Sequence, residues 1–237
     1  MVAPSPDFLI WALLARLAEH AALVDAVDLG AVAARDRQVV VRLIRAAAVF
    51  PGVGVLVGQM LTQKPDLVGA AIEAAVLIGA DARRVEPVLT AALSTRESSL
   101  PAEELSRLLQ LLGDVTWLHL RVALWQTNVR RARALLAEND TTDGRAQLAG
   151  SLDNLGVMLE GMGQPDAGRE CRVEAVARWW DLSLLRPGEY DDIHARAQAR
   201  LGQVFAERNY PPGDALRAVQ QAARRFRIGP YRGTHPG

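Results

Sequence analysis

The chain has one cysteine, Cys171, and a lone thiol excludes an internal disulfide and a zinc site built on thiolates. Such sparing use of cysteine fits a reducing, cytoplasmic setting. Lysine is equally scarce: Lys64 stands alone among 27 Lys+Arg, every other cation being arginine. That bias reads as the coding habit of a GC-rich bacterium rather than as chemistry. Against these stand 27 Asp+Glu, so no net charge exists to gather nucleic acid or an anionic membrane, and neither is expected as a partner.

Long apolar runs are missing as well. The opening "MVAPSPDFLIWALLARLAEH" has no basic residue before its apolar stretch and is closed by Arg16 and Glu19, so a signal peptide is not expected. Between Val39 and Leu61, Arg42, Arg45, Pro51 and three glycines interrupt what would otherwise suit a membrane. Strand alternation is absent too, apart from Val39-Val40-Val41, which does not make a sheet.

What is present is apolar spacing of the helical kind in nearly every segment. Asp7 is a candidate N-cap for a helix carrying Phe8, Trp11, Leu14 and Leu17. A helix over 35–49 is stopped by Phe50-Pro51-Gly52, and 54–61 holds a short one. Asp66 is expected to cap 67–78, ended by Gly79, and Asp81 to open 85–93. Residues 94–99 read as a loop. Pro101-Ala102-Glu103-Glu104 puts proline and two acids in a first turn, and that helix runs to about Leu112. Asp114 opens a longer helix through Trp117, Leu124 and Leu136, and "ENDTTDG" (138–144) is the clearest linker. Beyond it lie two helix pairs, 145–162 with 166–185 and 191–208 with 213–226, separated by "RPGEY". The predicted class is all-α, an α-solenoid of antiparallel helical hairpins. Its expected parts are a degenerate helical-repeat region over 1–140, clearer repeats over 141–228 and a flexible tail over 229–237.

The two pairs echo one another. A shift of 46 carries Leu155-Gly156 onto Leu201-Gly202 and Met162-Gly163 onto Arg208-Asn209, with proline soon after each. Glycine and asparagine both tolerate the left-handed conformation that ends a helix. A glycine inside a helix costs about 1 kcal/mol relative to alanine. Gly156 and Gly202 are therefore expected where two helix backbones approach closely enough to offset that loss. Self-similarity at this period, with a helical hairpin in each copy, is the pattern of an α-solenoid.

These residues resemble the tetratricopeptide repeat in its longer bacterial form. Helix A of that repeat carries a large apolar residue, then Leu-Gly, then another large one. Leu152, Leu155-Gly156 and Leu159 match, as do Leu201-Gly202 and Phe205, with Gln198 a departure. In helix B, Ala215, Val219 and Ala222 match the second copy, whereas in the first either Ala167 or Gly168 takes the first small position. The resemblance covers about 145–226, roughly a third of the chain. The architecture is similar to helical arrays attached to actinobacterial NTPase and conflict-system proteins, but no G-x-x-x-x-G-K-[ST] loop is present.

The resemblance implies a concave face lined by the A helices, across which a protein or peptide partner lies. Carried over residue by residue, its candidates are Asp153, Asn154, Val157 and Glu160, then Arg196, Arg200, Gln203 and Glu207. The implied function is a non-catalytic adaptor that scaffolds or regulates a complex, with self-association into a homodimer as a further possibility. The alternative is a small apolar ligand-binding or enzyme-accessory domain with a pocket in the N-terminal half.

Signals for chemistry are weak. "PGVGVLVG" (51–58) misses the dinucleotide fingerprint by one residue and reads as an inter-helix turn with small packing residues. His20, His119, His194 and His235 have no metal-ligand spacing, and Asp191 and Asp192 read as helix-start acids. No metal, cofactor or catalytic residue is expected. Cys171, between Arg169 and Arg172, reads as a packing thiol rather than a reactive one. Trp179-Trp180 guarantees that one ring points away from what the other packs on, and the arginines from Arg217 to Arg232 read as a solvated face.

Overall fold

The computed structural model describes residues 37–95, 100–113, 117–211 and 213–225. The candidate cap Asp7, the helix after it, Asp114, His20, His235 and the tail over 229–237 lie outside them. Every regular element among the described residues is helical, which bears out the all-α class.

The chain divides between Leu124 and Trp125 into two compact units. In the first, α1 (Arg37–Val49), α2 (Pro51–Gln63), α3 (Val68–Ile78), α4 (Glu86–Thr95) and α5 (Ala102–Leu111) surround one core. Short 3₁₀ turns at Pro65–Leu67 and Gly79–Val85 lie on either side of α3. Val39, Val40 and Val41 belong to α1. α2 begins one residue after α1 ends, because Pro51 cannot continue a helix but suits the first position of a new one.

α2 corrects the reading of "PGVGVLVG" as a turn, since the whole stretch is helical. Gly54 and Gly58 share one face, and a methyl group built on either would reach Val88 of α4, at 4.0 and 3.4 Å. The glycines thin the helix for packing without breaking it. Asp66 does not cap α3: Leu67 occupies that position, and the aspartate lies in the preceding 3₁₀ turn. Gly79 does end α3, at φ 77°.

Helix α6 (Leu118–Glu138) starts within the first unit, where the buried carboxylate of Glu86 accepts a hydrogen bond from Leu120 N at 3.1 Å. That bond serves one of the amides a helix N-terminus leaves unpaired. The second unit takes the rest of α6 with α7 (Thr142–Gly161), α8 (Pro165–Leu185), α9 (Asp191–Glu207) and α10 (Asp214–Arg225). The expected linker over 138–144 is only a short break. Thr141 accepts a hydrogen bond from Gly144 N and caps α7, so the polar residues start a helix instead of forming a tether.

Both hairpin ends close alike. After α7, Gly163 sits at φ 73°, Gln164 N donates to Leu159 O at 2.9 Å and Gly163 N to Glu160 O at 3.0 Å. After α9, Asn209 sits at φ 55°, Tyr210 N donates to Phe205 O at 3.1 Å and Asn209 N to Ala206 O at 3.0 Å. Each donor and acceptor of the first set maps onto one of the second by the shift of 46. This is the six-to-one and five-to-two hydrogen bonding of a Schellman cap, and the rings of Phe205 and Tyr210, tilted at 47° with centroids 5.1 Å apart, supply the usual apolar contact across it.

The two glycines part company. A methyl on Gly156 would lie 2.9 Å from Gly168 O and 2.7 Å from Arg172 Cγ, so α7 and α8 do cross there backbone to backbone. Gly202 is exposed and faces open space, which corrects the expectation that it is a second contact point. The cause is the connection. Met162 to Gln164 suffices between α7 and α8, while Arg208 to Gly213 separates α9 from α10, and the residue matching Gly168 is Asp214. α10 accordingly rests more on α8 than on α9.

Candidate functional site

α8 is the central element of the second unit, in contact with α7, α9 and α10. A helix surrounded in this way needs no single apolar stripe. It buries Val173, Val176, Trp179 and Leu182, and with them Arg172, Glu174 and Asp181. Charges this deep persist only when paired. Glu174 accepts from Arg178 Nη2 at 2.8 Å and from Arg133 Nη2 of α6 at 2.5 Å. Arg145 of α7 bridges Asp140 and Asp181, at 2.6 Å to the latter. Its hydrogen bonds hold the Asp140 carboxyl below the usual range, whereas burial outweighs the same arginine at Asp181 and pushes that carboxyl up.

The third network reaches the predicted face. Arg172 donates to Glu160 Oε2 at 2.8 Å and lies 3.9 Å from Asp153, which also accepts from Arg200 Nη1 of α9 at 2.6 Å. The predicted residues thus fall into two groups. Asp153, Glu160 and Arg200 are tied into ion pairs, and the Asp153–Arg200 pair links side chains of the two predicted A helices, α7 and α9. Asn154, Val157 and Arg196 are exposed, as are Gln203 and Glu207, which bond to each other at 2.8 Å. Arg196 donates to Asp192 O within its own helix.

Residue-level reading missed a second surface of the same unit. A cleft of about 810 Å³ lies among α6, α8, the end of α9 and α10, lined in part by Arg133, Cys171, Phe205, Tyr210 and Gln221. Arg169 donates to the Tyr210 hydroxyl at 2.5 Å and sits 5.0 Å from that ring's centre, a cation–π arrangement. A signal existed: Phe205 and Tyr210 occupy the two positions that touch across a Schellman cap. Burial and the nearby charge of Glu174 push the Cys171 thiol up to about 11, which leaves it protonated at neutral pH.

Trp179 is buried, its ring 5.9 Å from Tyr190, while its neighbour Trp180 is exposed. Burial lowers the pKa of His194, on the first turn of α9. Among the described residues no three His, Cys, Asp or Glu side chains converge as a metal site, and no helix is long and apolar enough to cross a membrane. No family model, curated protein or solved structure matches the chain.

Proposed function

We propose that the second unit is a tetratricopeptide-like adaptor that holds a protein or peptide partner across α7 and α9. The observation behind this reading is the recurrence of one hairpin ending, Gly163 and Asn209 in the left-handed region with matching hydrogen bonds 46 residues apart. Repeated hairpins of this kind align like-numbered helices on one side. The exposed positions of α7 and α9 include the apolar Val157, an amide at Asn154 and a cation at Arg196. That mixture suits an extended peptide, whose backbone an amide can bind and whose acidic side chain Arg196 can pair.

An ion pair between Asp153 and Arg200 links the two helices, which supports reading their exposed positions together. A photo-crosslinking residue at position 157 should trap a defined partner from the native host, and the same residue at Gln221, in the cleft on α10, should not. Replacing Asn154 and Arg196 together by alanine should reduce recovery of that adduct about tenfold, the loss expected when polar anchors are removed. Trapping only from position 221 would move the binding surface to the cleft. No adduct from either position would remove the adaptor reading.

A further inference from the structure

The first unit carries a surface that the reading above does not use. The ends of α1 and α3 meet the last turn of the 3₁₀ segment Gly79–Val85 around a cleft of about 840 Å³. Among the described residues its lining has three arginines, Arg45, Arg83 and Arg84, and no carboxylate. Neither Arg45 nor Arg84 is paired with an acid among the described residues, and both are exposed. The rest of the lining is apolar, and part of it is turned to solvent: Leu77 is 79% exposed and Val49 55%.

Helix ends explain only part of this charge. A helix C-terminus carries about half a negative elementary charge, so α1 and α3 together offset roughly one positive charge, short of the two carried by Arg45 and Arg84. Positive charge therefore remains beside uncovered leucine and valine side chains. Singly, an exposed leucine means little. Set in a cationic concavity, it describes a complementary ligand.

We infer that this cleft docks an acidic peptide segment that also presents a large apolar side chain. Carboxylates of the segment pair with Arg45 and Arg84, and its apolar side chain covers Leu77 and Val49 over the Ala48–Ile78 floor. Charge complementarity selects an acidic ligand, and the concave shape suits a protruding side chain better than the plane of a bilayer.

The test uses the full chain and a fluorescein-labelled decapeptide of glutamates and aspartates interrupted by one phenylalanine and one leucine. Fluorescence anisotropy should show saturable binding that weakens as salt is raised. Affinity should fall about tenfold in R45Q/R84Q and about tenfold in L77S, each a loss of roughly 1.4 kcal/mol. L216S, at an exposed leucine in the other unit that belongs to neither proposed binding surface, should bind the decapeptide as the parent does, and the crosslinking from position 157 is read separately from this result. Thermal melts should match the parent, since the substituted side chains are exposed. If the double variant does not fold, L77S carries the test. Parent-like affinity in L77S and R45Q/R84Q would overturn the inference. So would equal binding of a decapeptide of acids alone, or capture by phosphatidylserine vesicles without binding of the peptide.

Discussion

A methyl group at residue 156 would have to share space with the carbonyl of Gly168, 2.9 Å away, and that oxygen belongs to backbone that cannot swing aside. Gly156→Ala should therefore destabilise the chain by about 1–3 kcal/mol, the range for overpacking a close contact. At residue 202 the same methyl meets nothing within 4 Å and sits on a helix. Gly202→Ala should leave stability unchanged or raise it by about 0.5–1 kcal/mol, chiefly by restricting the unfolded chain. Urea unfolding of the two variants checks the pair, and equal effects would contradict the packing described. The sequence marks both glycines as alike, because spacing and neighbours are all it displays. The difference arises from a longer connection after α9, whose effect on helix docking is tertiary. Cys171 offers a second residue-scale test. With its pKa raised to about 11, it holds roughly 100-fold less thiolate at pH 8 than an ordinary thiol, so alkylation by iodoacetamide should be slower by about that factor until the protein unfolds. The sign for stability follows. The folded state favours the protonated thiol, so stability is intact below the unfolded thiol's pKa near 9 and declines as pH rises towards 11. Cys171→Ala should remove that part of the alkaline loss in pH-dependent melts.

Helix ends decide how the elements of the second unit are joined. Thr141 supplies one side-chain bond to α7, and Thr141→Ala should cost about 1 kcal/mol. At the other end Gly163 holds φ 73°, where a Cβ costs about 1–2 kcal/mol, so Gly163→Ala should weaken the same hairpin by about that amount. Asn209 occupies the equivalent place with a side chain, and Asn209→Gly should be neutral or mildly stabilising. Chemical denaturation of the three variants orders them, and a stabilising Gly163→Ala would be incompatible with the cap. This level was the most legible in the sequence. Gly, Asn and Pro are punctuation whose meaning is local, and the boundaries of α7 to α10 follow from them. Asp66 and "PGVGVLVG" misled for a related reason. A cap residue only matters if the helix starts beside it, and glycines at i and i+4 mark a thin helix face as readily as a turn. The candidate surface was legible in part. Helical spacing places Asn154 and Val157 outside, but that Asp153 and Glu160 would hold the buried Arg172 depends on how α7 and α8 cross. No pattern along one strand of sequence encodes that crossing.

At the scale of the whole molecule, the buried apolar side chains form separate clusters, one within residues 40–124 and another within 149–223. The second cluster is the smaller, and it shares its interior with the ion pairs of Arg172, Glu174 and Asp181. Paired charges hold position without contributing the stability that apolar contact would, so this unit depends heavily on its few large side chains. Trp179 is the largest of them, stacked on Tyr190 and packed on Gly150. Trp179→Ala should cost about 3–5 kcal/mol locally, comparable with the whole stability of a small domain. If the two clusters are separate cooperative units, hydrogen exchange in that variant should lose protection throughout α7 to α10 while amides of α1 to α4 keep theirs. The converse substitution, Ile72→Ala in the fully buried centre of α3, should reverse the pattern. Exchange that accelerates equally in both units, in either variant, would show that one transition melts the entire chain. The partner-binding and peptide-binding readings would then have to be tested as properties of a single cooperative body, because a change at Leu77 would be felt at Val157.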